Sequence, residues 1–421
     1  MSQLLHPDPG SKAFVNGKWF TGTDFQNKTF YSVNGILTAR EPSSSVETVD
    51  LQGGFVVPPF GDAHNHFPSR QEDLADGNRA HLNAGVFYAL NPGGDAEIAN
   101  PIRSKLGASA TIDAIFSHGV FTCSGGHPKT LLEHFADRGE PFFDKAELEG
   151  RYFYSVDSVA QLDEVWPHFL STKPEFVKII LGFSDAYRSG DARQRSLGVR
   201  PEVANEIVHR ARVAGLRAGA HIENAEDFHT ALEAGVDLVM HLPIFPEAMG
   251  RKGAYPKASA QEDRYVISTS DVKLAANRGV SVVTTAATGS AENFEKPNAF
   301  AFLNDNEKRF LEITLLNLRH LKDEGVTLVV GSDAPPGTGT LHEIEFLQNT
   351  GVFSNLELLK MWSETTPRAI FPRRRIGSME DSYEANFLVL DGDPIQDFSM
   401  VKKIRMRVKQ GHPLKWMQGH P

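Results

Sequence analysis

Two histidines one residue apart close the segment Gly61-Asp62-Ala63-His64-Asn65-His66. Side chains of an extended strand alternate between its faces, so both imidazoles point the same way and can grip one cation. Three more residues of ligand type end other apolar runs: His221, His241 and Asp333, the last in Val330-Gly331-Ser332-Asp333. Imidazole nitrogen and carboxylate oxygen suit a divalent ion such as zinc. Any one of these histidines alone reads as a hydrogen-bonded core residue; their joint position at strand ends is what points to metal. The single cysteine, Cys123, excludes an intrachain disulfide and a thiolate zinc site, and reads as a small packing residue.

Lys178 interrupts the apolar run Phe176-Val177-Lys178-Ile179-Ile180. An ammonium ion buried there must pair with a carboxylate, lose its proton or be modified. A neutral lysine amine can add carbon dioxide, and the resulting carbamate is anionic, with two oxygens able to bridge two cations. His127, in Cys123-Ser124-Gly125-Gly126-His127-Pro128, is a candidate donor to a substrate carbonyl or oxyanion, because flanking glycines allow close backbone approach. A histidine that stabilises its own loop is the alternative. Tyr187, Arg188 and Tyr265 fall on mouth loops, where they could orient a substrate carboxylate or amide, but they read better as ordinary surface residues.

These residues need a scaffold that brings strand ends together. Eight apolar, β-branched runs alternate with helical segments: Phe55–Asp62, Val86–Leu90, Thr111–Phe116, Phe176–Leu181, Leu216–His221, Leu238–His241, Val280–Thr285 and Thr327–Gly331. That is the pattern of βα units feeding a parallel sheet covered on both faces. A glycine followed by an apolar residue precedes or opens several of them, at Gly85, Gly215, Gly235, Gly279 and Gly325, as expected where a helix ends in a left-handed residue. The reading is an α/β protein with a (β/α)8 TIM barrel over residues 58–375, whose active site gathers at the C-terminal ends of the strands. Residues 1–57 and 376–421 carry short strands such as Ala13–Phe20 and Asn386–Leu390, with turn residues Asn16-Gly17 and Asp391-Gly392-Asp393-Pro394, and predict a small β-sandwich domain built from both chain ends. Ser117–Leu131 and Phe245–Arg264 read as long loops at the barrel mouth.

Composition narrows the function. With 40% hydrophobic and 23% charged residues in 421, the chain is an ordinary globular protein. A formal charge of -10 argues against nucleic-acid binding, and Arg373-Arg374-Arg375 reads as a solvated loop. No run of eighteen apolar residues predicts a membrane span, and Met1–Phe14 lacks the plan of a secretory signal. The expectation is a cytoplasmic protein, or a secreted or periplasmic one if a leader has been removed, acting on a small-molecule substrate as a monomer or homo-oligomer.

In order and strand placement, His64, His66, Lys178, His221, His241 and Asp333 resemble the amidohydrolase superfamily in its binuclear form with a carboxylated lysine. Glu384–Pro394 resembles the return into that superfamily's small β-domain. Thr365-Thr366-Pro367-Arg368-Ala369-Ile370 and Gly125-Gly126-His127 are similar to segments of the imidazolonepropionase-like and Xaa-Pro dipeptidase-like branch. The resemblance implies that His64, His66 and Asp333 hold one zinc-like ion and His221 and His241 another, with the Lys178 carbamate and a hydroxide between them. It implies amide or peptide C–N bond hydrolysis, with Asp333 as both ligand and proton shuttle. A mononuclear deaminase of the same superfamily is the competing reading, since His221-Ile222-Glu223 places a glutamate two residues after a strand-five histidine. A non-catalytic barrel is the third; it would have no reason to keep a full set of ligand-type residues.

Overall fold

In this computed structural model, residues 10–43, 45–68, 70–140, 143–189, 196–243, 262–287, 305–334 and 336–414 are described. The described residues open with β1 (Lys12–Phe20), β2 (Phe25–Val33), β3 (Ile36–Thr38), β4 (Glu47–Asp50) and β5 (Phe55–Val57). The run Phe55–Asp62 is therefore two strands and not one. Pro58 and Pro59 lack the N–H groups a ladder needs, and beyond them β6 (Phe60–Asp62) joins a different sheet.

Parallel strands follow as β7 (Val86–Asn91), β8 (Asp113–Phe116), β9 (Val120–Thr122), β10 (Phe153–Ser155), β11 (Phe176–Ile180), β12 (Arg217–His221), β13 (Leu238–Met240), β14 (Ser281–Val283) and β15 (Thr327–Val329). They form two sheets, β6-β7-β8 and β10-β9-β11-β12-β13-β14-β15. Backbone hydrogen bonds link the two: Ala63 N donates to Val330 O at 2.8 Å, and Glu175 N donates to Phe116 O at 2.8 Å. The result is an α/β fold of parallel strands with helices in the connections. The five junction glycines all have positive φ, from 66° to 79°, the backbone state in which a helix terminates.

Two strands depart from the expected set. The segment read as a loop after Phe116 resumes as β9 once past His118, whose φ of 61° makes a kink, and the helix Lys129–Asp137 begins inside the same stretch. β10 is a three-residue edge strand, too short to show a period. Most of the expected loop Phe245–Arg264 lies outside the described residues.

Strands β16 (Phe387–Leu390), β17 (Ile404–Lys409) and β18 (His412–Pro413) return to the N-terminal strands. Together they make one eight-stranded sheet in the order β18-β17-β16-β5-β1-β2-β3, with β4 on β1. Its apolar cluster, including Phe14, Trp19, Phe30, Val56, Phe387 and Val408, is separate from the main core around the parallel strands. Asn16-Gly17 is a bulge inside β1 and not a hairpin turn; the Asn-Gly that turns the chain is Asn34-Gly35, between β2 and β3. Arg374 also departs from the expectation of a solvated loop. It pairs with Asp113 at 2.7 Å and Glu384 at 2.6 Å, while the fully buried Lys409 side chain reaches Asp113 at 2.6 Å, so an ionic cluster pins the end sheet to β8.

Candidate metal centre

Each residue read as a ligand stands at or just beyond the C-terminal end of a parallel strand, except Lys178, which lies midway along β11. His64 and His66 follow β6, His221 ends β12, His241 follows β13, and Asp333 follows β15. Left-handed backbone sharpens the rim: φ is 77° at His241, 47° at Asp333 and 37° at Thr285, conformations costly for non-glycine residues and common at functional sites. Gly331 lets the last strand approach the first, since a Cβ there would meet Val283 at 2.3 Å and His64 at 2.9 Å.

The side chains converge. Asp333 Oδ1 lies 3.1 Å from His66 Nε2 and 3.5 Å from His64 Nε2. The His64 and His241 rings are 4.6 Å apart, as are His241 and His221, and His127 stacks on His221 at 4.9 Å with 14° between planes. Ligand atoms of His64, His241 and Asp333 all fall within 4.8 Å of one another. The Nδ1 atom of His64 is buried and, among the described residues, has no hydrogen-bond partner. Two buried imidazoles, a part-buried carboxylate and an orphaned nitrogen in one cluster fit a divalent cation.

Electrostatics agree with that fit. Burial, reinforced by Lys178, holds His64 well below the usual imidazole range; burial and His221 do the same to His241. Both are thus kept neutral, the state in which imidazole ligates metal. Burial pushes the Asp333 carboxyl upward, but His64, His66 and His241 outweigh it and hold it well below its ordinary value.

Lys178 is 3% exposed, and its Nζ donates to Met240 Sδ at 2.8 Å, a weak acceptor. Among the described residues no carboxylate oxygen lies within 4.0 Å of it. Burial pulls the ammonium down to about 7, opposed in part by Asp333.

Three buried carboxylates that the sequence did not single out hold the rim. Asp62 accepts from Ser332 N at 3.0 Å, Ser332 Oγ at 2.7 Å and Asn65 Nδ2 at 3.0 Å. Asp227 accepts from Phe183 N, Ser184 N, Glu223 N and Asn224 N at 2.7 to 3.1 Å, tying the turn after β11 to the turn after β12. Glu343 accepts from Ala286 N and Ala287 N after β14. Asn224-x-x-Asp227, a helix-capping pattern, was the one readable signal among these.

The remaining residues settle simply. Cys123 is buried packing, Tyr187 Oη donates to Gly198 O at 2.7 Å, Arg188 pairs with Glu233 at 3.2 Å, and Tyr265 is 1% exposed instead of lying on the surface. A cleft of about 540 Å³ lined by His66, Phe67, Arg70, Asp73 and Asp333 opens beside the cluster. A larger one, about 610 Å³, lies at the opposite strand ends. Arg217 and Arg212 in its wall donate to helix-terminal carbonyls of Ala369, Ile370 and Gly235, which is a capping role.

Residues 55–414 match the amidohydrolase family model. The chain belongs to the amidohydrolase family. Among individual proteins, ochratoxinase of Aspergillus niger is 29% identical over 80 residues, a match covering 19% of this chain and 17% of the relative's length. The crystal structure of A. niger ochratoxinase superposes with a TM-score of 0.71 at 17% identity, covering 96% of this chain and 95% of that one. Molinate hydrolase gives 0.70 at 16% identity over 98% of both chains. A Xaa-Pro dipeptidase with methionine bound in its active site gives 0.68 at 17% identity, covering 96% of this chain and 100% of that one. At such identities the superpositions speak for a shared amidohydrolase fold. Among the described residues, no helix is long and apolar enough to cross a membrane.

Proposed function

We propose that this amidohydrolase cleaves the amide or peptide C–N bond of a small or dipeptide-like molecule at a binuclear metal centre held by His64, His66, Lys178, His221, His241 and Asp333. The observation that carries the reading is Lys178: a buried amine, driven toward neutrality, whose hydrogen-bond partner is a thioether. A neutral amine beside neutral imidazoles is the chemical state that adds carbon dioxide, and a carbamate there would supply the missing anionic ligand. The ions are taken to be zinc from the nitrogen and oxygen donor set. The scaffold we propose is a closed (β/α)8 barrel over residues 58–375, with residues 1–57 and 376–421 forming the small β-sandwich domain. The hydrogen bonds from the end of β6 to β15 support the closure.

Bound divalent cations would acidify water and polarise the scissile carbonyl. The chain's own residues do the rest. Asp333, held by His66 at 3.1 Å, is placed to take a proton from the attacking water and deliver it to the departing nitrogen. His127, stacked on His221 at the mouth, is placed to donate to the carbonyl oxygen as charge develops on it. Thr285 Oγ1, 2.8 Å from His241 Nδ1, fixes that ring's orientation.

One contact favours a second reading, deamination. Glu223 is 3% exposed, with Oε1 3.1 Å from His221 Nε2, so a carboxylate of the type that serves as acid and base stands beside a candidate ligand. Product analysis separates the two. A library of N-acyl amino acids, dipeptides, cyclic imides and aminopurines should yield a new carboxylate from one of the first three classes, with a free amine from an N-acyl amino acid or dipeptide and a ring-opened carboxamide from an imide. Release of ammonia from aminopurines alone would establish the deaminase and make Glu223 its general acid and base.

A further inference from the structure

The helix Thr338–Asn349 that follows β15 presents two fully buried polar side chains one turn apart, Thr340 and Glu343. Thr340 Oγ1 donates to Asp62 Oδ2 at 2.7 Å, the carboxylate that also holds Ser332 N and, at 3.2 Å, His64 N. Glu343 reaches the other side of the centre. It accepts from Thr284 Oγ1 at 2.5 Å, Ala286 N at 2.9 Å and Ala287 N at 2.7 Å, bracketing Thr285 on both sides. Thr285 is β-branched and sits at φ 37°, a conformation it would not hold without such restraint. Its hydroxyl lies 2.8 Å from Nδ1 of His241.

We infer that Glu343 is a positioning residue for the metal centre, acting through Thr285: it pins residues 284–287 so that the Thr285 hydroxyl occupies Nδ1 of His241 and leaves Nε2 for the cation. An imidazole offers two nitrogens, and the one engaged by a neighbour decides which is free to ligate. Three donors converging on one buried carboxylate make a stiff clamp. Glu343 to His241 is a relay of two steps through one side chain. The helix therefore braces both halves of the centre, His64 and Asp333 through Asp62, and His241 through Glu343. The inference rests on the reading of His241 as a ligand.

Cobalt(II) uptake, read by its visible absorption and by competition with a chelator, tests this alongside the melting of metal-free protein. Glu343→Gln turns one acceptor oxygen into a donor facing other donors, and Thr285→Val removes the hydroxyl at constant shape. Each should weaken cobalt binding by about 10- to 100-fold and change the absorption envelope. Thr285→Ser keeps the hydroxyl and should stay close to wild type. The double variant Glu343→Gln/Thr285→Val should bind no worse than the poorer single one, because both break the same relay. Cobalt affinity and spectrum unchanged in Glu343→Gln, with only the metal-free melting lowered, would overturn the inference, as would fully additive losses in the double variant. Wild-type protein that takes up no cobalt would overturn the metal-centre reading and this inference with it, whereas normal wild-type uptake with unaffected variants would overturn this inference alone.

Discussion

Lys178 offers the sharpest test, because its chemistry has a pH signature. With the ammonium pulled down to about 7, roughly ten neutral amines stand for each ammonium at pH 8; at the ordinary value of 10.5 about one in three hundred would be neutral. Burial thus raises the population able to add carbon dioxide by about 300-fold at that pH. Protein equilibrated with carbon-13 bicarbonate should show a carbamate carbon by NMR whose intensity rises through pH 7, and native mass spectrometry should show one added carbon dioxide per chain. Lys178→Ala should lose bound metal and most activity, and small carboxylic acids should restore part of the metal by occupying the vacated space with two oxygens. Lys178→Arg should fare no better, since a guanidinium keeps its proton. The sign for metal-free stability follows from the same displacement. Between pH 7 and 10.5 the unfolded chain holds a proton that folded Lys178 has lost, so this lysine's contribution is complete above 10.5 and is lost as pH falls through 7. A carbamate signal with a midpoint near 10.5, or fully active protein with both metals and an unmodified Lys178, would refute the reasoning.

Three further outcomes are expected. Protein purified with zinc should approach two metals per chain by elemental analysis, and stripping them should lower the melting temperature, with about 2.7 kcal/mol of stabilisation at one hundred times the dissociation constant; one metal in fully active protein would count against the binuclear centre. Asp227→Ala removes the acceptor of four buried N–H groups and should cost at least about 3 kcal/mol in urea unfolding, because each unsatisfied donor carries about 1–3 kcal/mol before relaxation. Lys409→Met should destabilise by about 3 kcal/mol, since it breaks a buried ion pair from one side and leaves Asp113 to Arg374 alone; an unchanged denaturation midpoint would show that the cluster is dispensable.

Much of this was legible before any coordinates, and the reason is local. Junction glycines, apolar runs and ligand-type residues at run ends are all patterns within a few positions of one another; all five glycines, and the candidate ligands other than the mid-strand Lys178, stand at the helix and strand ends that those patterns mark. What stayed hidden depends on distance along the chain or on competing signals. Asn16-Gly17 and Asn34-Gly35 are the same dipeptide, and only pairing partners decide that the first is a bulge and the second a turn. His118 looks like an ordinary loop residue, yet its left-handed backbone lets one strand continue as β9. Asp62 and Ser332 are 270 residues apart, and Arg374 meets a carboxylate on β8, so no window of sequence displays either contact. The thioether beside Lys178 was equally invisible, because Met240 reads as one more apolar residue in a buried strand.

β5 lies between β1, which precedes every parallel strand in the sequence, and β16, which follows them all. Strands β1 to β5 therefore wait, during translation, for the entire parallel-strand region before their sheet can be completed. Until Phe387–Leu390 emerges, the β5 edge facing it stays open, a template for pairing with another nascent chain. A ribosome stalled anywhere within the parallel-strand region would release a chain able to collapse around its main core yet carrying an unfinished, adhesive border. Quality control of this protein then becomes a question of how long that border is shielded, and a C-terminal truncation far from the metal centre should aggregate before it loses chemistry.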